Sequence, residues 1–480
     1  MLAFVFAALL AAPDPAQEAA ARLIGSALSS NTAYSRLADL TDSIGPRLSG
    51  SPGAEAAVKW AQQRFSEDGL AVRLEPVRVP HWVRGEERGE ILPATGPAGW
   101  VGHPLALTAL GGSVGTATGG LSAEVVEARS LAEVAALGER ARGRFVFLNH
   151  DMGAPGSKVG YGDAVELRVR GPSAAAKVGA AGVLLRSLAT LSLRSPHTGV
   201  TVYEDSVAKI PAVAVSLEDA DTLHRLLQRN QPVRVRLALG CRTLPDADSF
   251  NVVADVRGRE LPDEVVLLAA HLDSWDLATG ATDDGAGAMI VMEAGRVLAQ
   301  LKPAPRRTVR VVLYMNEENG TAGGKAYAKD HEAELAKHVA AIEADSGAGR
   351  PLGITVRAAP GENGAPSPAL ALLRPWLAPL IALGAAELSE GGEGGADIGP
   401  LGSAAVPFLG VKQEGSHYFE THHSAADTLD KVEPAALAAN AATMAWLAYS
   451  LAEMQPPLPR PPPLSPRTRA EPRPAAPVAH

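Results

Sequence analysis

The chain has 480 residues, more than one ordinary core holds, so two or three domains are expected. A hydrophobic share of 46% and a charged share of 20% describe a globular protein. The net charge of −9 and the lack of a basic stripe argue against nucleic acid as partner, and a lone cysteine, Cys241, excludes an intrachain disulfide framework.

Met1 to Ala12 reads as the apolar segment of a secretory signal, with small residues at a cleavage point between Ala12 and Ala16. No Lys or Arg precedes it. The segment is shorter than the roughly 20 residues a membrane span needs, and no other stretch is long and apolar enough. A secreted or periplasmic protein with no membrane span is expected.

Two helical patterns between Leu23 and Phe65 flank the turn-rich stretch Gly45 to Gly53. Ser51 before Pro52 suits a helix cap and first position. Val72 to Val79 alternates as a strand does. From about Trp100 to Gly240 the texture changes. Short strands at Phe145–Leu148, Gly182–Leu185 and Pro211–Val215 alternate with helical patterns at Ser173–Ala181 and Leu217–Leu227. This region reads as a separate, smaller α/β unit, of gating or purely structural role.

Val265 to Ala270 is a short apolar run of the kind that forms a strand buried on both faces. It stops at His271. A polar, Gly-rich stretch follows, and then Ala286, Ile290, Ala294, Val297, Leu298 and Leu301 recur at helical spacing. Further strands are predicted at Val309–Met315, His338–Ile342 and Val406–Gly410, and a last helix from Pro434 through Leu451. Such alternation implies a mainly parallel, twisted sheet with helices on both faces. After Met454 the chain is rich in Pro and Arg, and a disordered tail is expected.

The strand ends carry the chemistry. His271, Asp273 and Asp283 follow the first run. Asn316-Glu317-Glu318 follows the second, and Glu343-Ala344-Asp345 follows the third. His422-His423-Ser424-Ala425-Ala426-Asp427 lies late in the chain. A parallel sheet gathers such ends along one edge, where ligands bind in open α/β folds. Imidazoles and carboxylates in this number suit two zinc ions sharing a carboxylate, each wanting about four ligands. Two metals about 3.5–4 Å apart can activate one water between them. Adjacent Glu317 and Glu318 can divide the work, one on a metal and one taking the proton.

The motifs His271-Leu272-Asp273-Ser274-Trp275-Asp276, Thr282-Asp283-Asp284-Gly285, Asn316-Glu317-Glu318, Glu343-Ala344-Asp345-Ser346-Gly347 and His422-His423-Ser424-Ala425-Ala426-Asp427-Thr428 resemble the co-catalytic zinc aminopeptidase family. The Ser-Trp-Asp extension and the doubled histidine resemble its carboxypeptidase Q branch. The resemblance spans roughly Leu23 to Met454. Between the signal at 1–16 and the tail at 456–480 read above, it implies a catalytic domain in two parts at 17–99 and 244–455 and a protease-associated insert at 100–243. It also implies a zinc exopeptidase acting on short peptides or dipeptides, with two zinc ions per chain and a homodimeric state.

Carried over residue by residue, the resemblance makes His271 and Asp345 ligands of one zinc, Glu318 and His423 ligands of the other, and Asp283 the bridge. Glu317 becomes the general base, Asp273 orients His271, and the Asp283–Asp284 peptide bond is cis. Aminopeptidase members often carry a tyrosine before the last histidine. Here His422 stands there, as an oxyanion donor or a packing residue, and Tyr418 is a substitute. Asp397, in the Gly391-to-Pro400 loop, corresponds to a segment lining the family's substrate pocket.

Two other functions compete. A glutaminyl-cyclase-like transferase on the same fold usually takes one zinc, and a non-catalytic receptor module would have lost ligands. The full ligand set favours the peptidase. Gly111-Gly112-Ser113-Val114-Gly115 matches a serine-hydrolase elbow but lacks the strand before it and the helix after it. Cys241 reads as structural, and His150, His197 and His224 read as surface or packing residues. Which peptide terminus is recognised is left open.

Overall fold

A computed structural model describes residues 15–94, 101–153, 160–229, 231–357, 359, 361, 365–392 and 394–464. The signal expected at Met1 to Ala12 and the tail beyond 464 lie outside them. Helices α1 (Pro15–Ser29), α2 (Thr32–Asp39) and α3 (Pro52–Glu67) precede strand β1 (Ala71–Val83). As the sequence suggests, the Ser51 side chain caps α3 by accepting the Ala54 N–H, with Pro52 at its start.

The chain then leaves to build a second sheet from β2 (Glu87–Ile91), β3 (His103–Pro104), β4 (Leu107–Ala109), β5 (Leu121–Ala128), β6 (Phe145–Leu148), β7 (Gly182–Arg186), β8 (Ala212–Val215) and β9 (Arg234–Leu239). Helices α4 (Leu131–Leu137), α5 (Tyr161–Lys177) and α6 (Leu217–Leu227) cover it. It returns through β10 (Arg242–Val256), which pairs antiparallel with β1 along nearly its whole length. The remaining elements are β11 (Leu261–His271), α7 (Ala286–Ala299), β12 (Arg307–Tyr314), α8 (Ala322–Asp330), β13 (His338–Glu343), β14 (Pro351–Arg357), α9 (Pro368–Leu373), β15 (Glu387–Glu390), β16 (Phe408–Gln413), α10 (Tyr418–Thr421) and α11 (Pro434–Glu453).

The first sheet runs β1-β10-β12-β11-β13-β16-β14-β15. Its centre, β12-β11-β13-β16, is parallel, and antiparallel pairs flank it. Val266, Leu268 and Ala270 of β11 enter the core beneath α1, α2, α7 and α11. Leu267 and Ala269 enter the core on the other face with Tyr327 of α8 and Phe408. Burial on both faces is why this strand reads as an unbroken apolar run. Helix α11 has the length and composition of a membrane span, yet 78% of that window is buried in the fold.

Three boundaries differ from expectation. Residues 87–91, predicted to lie in the main domain, form a strand of the second sheet paired with β9; their polar composition hides it. The helix predicted at Ser173–Ala181 begins at Tyr161 and runs through Pro172. The tail predicted from 456 is packed through 464. Arg460 donates to the main-chain oxygens of Leu335, Ala336, His338 and Ala404, Leu458 is 5% exposed, and the Leu464 N–H bonds to Gly402 O. A proline-rich segment needs few donors of its own when one arginine supplies them.

Candidate metal centre

The central strands end side by side, and the polar residues just past them converge. His271 ends β11, and its Nε2 lies 3.2 Å from Asp283 Oδ1 and 3.8 Å from Asp345 Oδ1. The other oxygen of Asp283, Oδ2, lies 3.3 Å from His423 Nε2 and 3.5 Å from His422 Nε2. His423 Nε2 also lies 3.0 Å from Glu318 Oε2. Asp283 therefore presents one oxygen to each of two donor groups. The donors His271, Asp283 and Asp345 fall within 4.8 Å of one another, and so do Asp283, His422 and His423. Donors about 2.1 Å from one zinc at tetrahedral angles stand about 3.4 Å apart, so the observed spacings fit that ion.

The electrostatics favour a cation. Burial alone would raise the Asp283 carboxyl, but hydrogen bonds with His271 and His423 hold it well below the usual range. Burial also disfavours charge on His271, yet Asp273, Asp283 and Asp345 push its pKa well up. Glu318 is lifted to about 7 by burial and by Asp283, against the pull of His423. Anions crowded in a dry site hold any positive charge placed among them.

Neighbouring groups hold these side chains in place. Asp284 accepts the His271 N–H at 3.1 Å and the Gly287 N–H at 3.1 Å, tying β11 to α7. The Asp283–Asp284 peptide bond is cis. Asp427 accepts the N–H groups of Thr282 and Asp283 at 2.7 and 3.0 Å. The Trp275 N–H donates to Glu318 Oε1 at 3.1 Å. His271 Nδ1 contacts the main-chain oxygen of Asp273 at 3.0 Å, while the Asp273 carboxylate stands 3.7 Å away. The side chain expected to orient His271 instead accepts the N–H groups of Asn316 and Glu317 at 2.8 and 3.1 Å. Asp273 is wholly buried.

Glu317 is half-buried at the end of β12, next to this group. His422 is stacked on His423 with ring centroids 3.7 Å apart, and burial and His423 hold its pKa well below the ordinary value. Tyr418 lies against His422 at 5.0 Å between ring centroids, and burial with the charges of Asp283 and Asp345 keeps its phenol protonated. Asp397 lies in the Gly391-to-Pro400 loop. It is fully buried, neither carboxylate oxygen has a partner among the described residues, and its N–H bonds to Glu343. Its turn packs directly on Gly324. Ser113 and Cys241 are buried in the second unit; Ser113 Oγ accepts the Ala212 N–H.

Three contributors carry no motif in the sequence. Arg47, fully buried, donates to the main-chain oxygens of Leu272, Gly45 and Gly280 at 2.9, 3.0 and 3.0 Å. It braces the loop between His271 and Asp283. Arg168 and Thr198 come from the second unit. The Arg168 Nη1 lies 3.4 Å from His423 Nδ1, and Thr198 bonds to the main chain of His423. Trp275 in turn inserts among Trp82, Leu48 and the second unit's apolar residues, and Arg84 pairs with Asp276 at 2.6 Å. A short turn before α3 and side chains from a distant unit give no local pattern to read.

Residues 251–448 match Peptidase family M28. Carboxypeptidase Q from Mus musculus is 39% identical over 431 residues, covering 90% of this chain and 87% of that protein. Carboxypeptidase Q from Homo sapiens is 37% identical over the same shares. The crystal structure of a peptidase M28 precursor from Shewanella amazonensis matches with a TM-score of 0.86 and 40% identity, covering 94% of this chain and 99% of that one. The zinc aminopeptidase BSAP from Bacillus subtilis shares the fold at a TM-score of 0.60 and 20% identity, over 86% and 93% of the two chains. With relatives this similar along nearly its whole length, the chain belongs to peptidase family M28 beside the carboxypeptidase Q proteins, and it is a metallo-exopeptidase.

Proposed function

We propose that the protein is a secreted exopeptidase that cleaves dipeptides and short peptides with two zinc ions per chain. The observation that carries this is Asp283, whose two oxygens face His271 on one side and His423 on the other. His271, Asp283 and Asp345 are assigned to one ion, and Asp283, Glu318 and His423 to the other. His423 is preferred to His422 because its Nε2 meets both Asp283 and Glu318.

When bound, zinc polarises the scissile carbonyl and makes water acidic enough to lose a proton near neutral pH. Glu317 accepts that proton and returns it to the departing amine. Asp273 holds Glu317 in position through its main-chain N–H. Tyr418, a protonated phenol beside His422, is assigned as hydrogen-bond donor to the developing oxyanion.

Arg168 favours recognition of the peptide's carboxyl end. Its side chain is buried, its Nε has no partner among the described residues, and its neighbours are the Tyr161 ring, Gly199 and His423. None of these is an anion. A carboxylate would satisfy this buried guanidinium and match its fork.

Zinc content and product release on dipeptides with free, acetylated or amidated ends test this together. Two zinc ions per chain, hydrolysis of free dipeptides, loss on C-terminal amidation and a raised KM in Arg168→Met are expected. Less than one zinc with no hydrolysis overturns the reading. Equal rates on amidated peptides overturn the role of Arg168 alone.

A further inference from the structure

The second unit does more than stand beside the metal centre. The Thr198 N–H donates to the main-chain oxygen of His423 at 2.8 Å. The main-chain oxygen of Thr198 lies 3.3 Å from His423 Nδ1. One residue of the loop after β7 thus grips both the backbone and the ring of His423. With Nδ1–H donated to that oxygen, Nε2 keeps its lone pair and faces Glu318 Oε2 at 3.0 Å. Arg168 also approaches Nδ1, but a guanidinium only donates, so the carbonyl is the acceptor.

His423 needs such a grip. Its φ is 59°, the left-handed region that residues bearing a side chain avoid. It lies past the short helix α10 in a stretch with little regular structure of its own. Thr198, in contrast, is firmly held. Its hydroxyl donates to Ala109 O at 2.8 Å, and Arg84 reaches that hydroxyl at 3.4 Å. Gly111 N–H bonds to Gly199 O at 3.0 Å, and Thr201 N–H bonds to Gly111 O at 2.8 Å. The segment is stitched into the second sheet on one side and to His423 on the other.

We propose that the main chain of Thr198 is a positioning element for His423, so that the cation position shared by Asp283, Glu318 and His423 is complete only when the second unit is docked. This rests on the reading of His423 as a zinc ligand, and it assigns the second unit a part in holding metal.

Thr198→Pro removes the N–H, whereas Thr198→Ala keeps both main-chain groups. Zinc is titrated against a chelator with near-ultraviolet circular dichroism recorded on the same samples. Thr198→Ala is expected to hold two zinc ions as the unaltered protein does. Thr198→Pro is expected to keep one and to bind the second roughly 10- to 100-fold more weakly with an unchanged spectrum. Two equally tight zinc ions in Thr198→Pro overturn the proposal. If that variant does not fold, hydrogen exchange on the unaltered protein decides. Zinc removal should speed exchange at the Thr198 amide and leave the Thr201 amide unchanged, because coupling between metal and clamp is reciprocal. Equal exchange at Thr198 with and without zinc overturns it. An unaltered protein holding less than one zinc overturns the metal reading itself, a result separable from both.

Discussion

The Glu317 main-chain N–H donates to the buried carboxylate of Asp273 at 3.1 Å. The same oxygen accepts the Asn316 N–H at 2.8 Å, so Asp273 fixes the turn that carries both glutamates. His271 is oriented instead by the Asp273 carbonyl. Asp273→Asn should therefore lower kcat by roughly 10- to 100-fold while leaving two zinc ions bound. Turnover and zinc content on one sample check this; loss of the zinc held by His271 would show that the carboxylate orients the ring after all.

Glu317→Gln keeps the shape of the side chain and removes its basicity. Turnover should fall by about 10²- to 10⁴-fold with zinc content unchanged. A variant that keeps more than a tenth of the original kcat would remove Glu317 as base.

Arg47 satisfies several main-chain oxygens at once, those of Leu272, Gly45, Thr279 and Gly280. Burial lowers its pKa to about 10, and the charges of Asp427 and Asp273 oppose that fall. Lysine has three donors on one nitrogen and cannot span the same carbonyls. Arg47→Lys should cost about 1–3 kcal/mol for each oxygen stranded, read as a lower urea midpoint.

At Gly111 an added methyl would stand 2.0 Å from the Trp275 ring. The Trp275 main-chain N–H holds Glu318, so a shift of the indole that carries the backbone with it passes to a proposed ligand. Gly111→Ala should lose about 1–3 kcal/mol of stability and also weaken one zinc. Lost stability with unaltered zinc affinity would show that the indole moves without the main-chain N–H of Trp275.

His338 supplies a pH dependence away from the metal centre. Its ring accepts from the Tyr327 hydroxyl at 2.9 Å and contacts Glu334 O at 3.2 Å. Burial lowers its pKa to about 4. The unfolded chain takes up this proton near pH 6.5 and the folded chain only near 4. Between those values the unfolded state binds more protons, so stability falls as the pH falls, by up to about 1.4 kcal/mol per unit. His338→Gln should flatten that slope in urea titrations between pH 6.5 and 4, while an unchanged slope would assign it to other groups.

The sequence was informative where chemistry follows a strand. Val265 to Ala270 announces a strand buried on both faces, and the polar residues that stop it announce the site edge. His271, Asp283, Glu318, Asp345 and His423 could be gathered from such strand ends and then met in space. What was illegible acts through the main chain or across units. The resemblance made Asp273 the partner of His271, and its carboxylate, 3.7 Å from that ring, also accepts the main-chain N–H groups of Asn316 and Glu317. Asp397 sits in a Gly-rich loop whose packing against Gly324 no local pattern announces. Arg168 and Thr198 lie more than two hundred positions before His423, and periodicity carries no information over that distance.

A grip made by peptide groups has no fixed spelling. Many residues could replace Thr198 and still offer the same amide and carbonyl, so aligned relatives need show nothing at that column. The trace falls one place along, at Gly199, where φ is 136° and an added Cβ would stand 2.3 Å from the Arg168 guanidinium. A glycine kept there beside a freely varying neighbour is the pattern expected among relatives that share this grip.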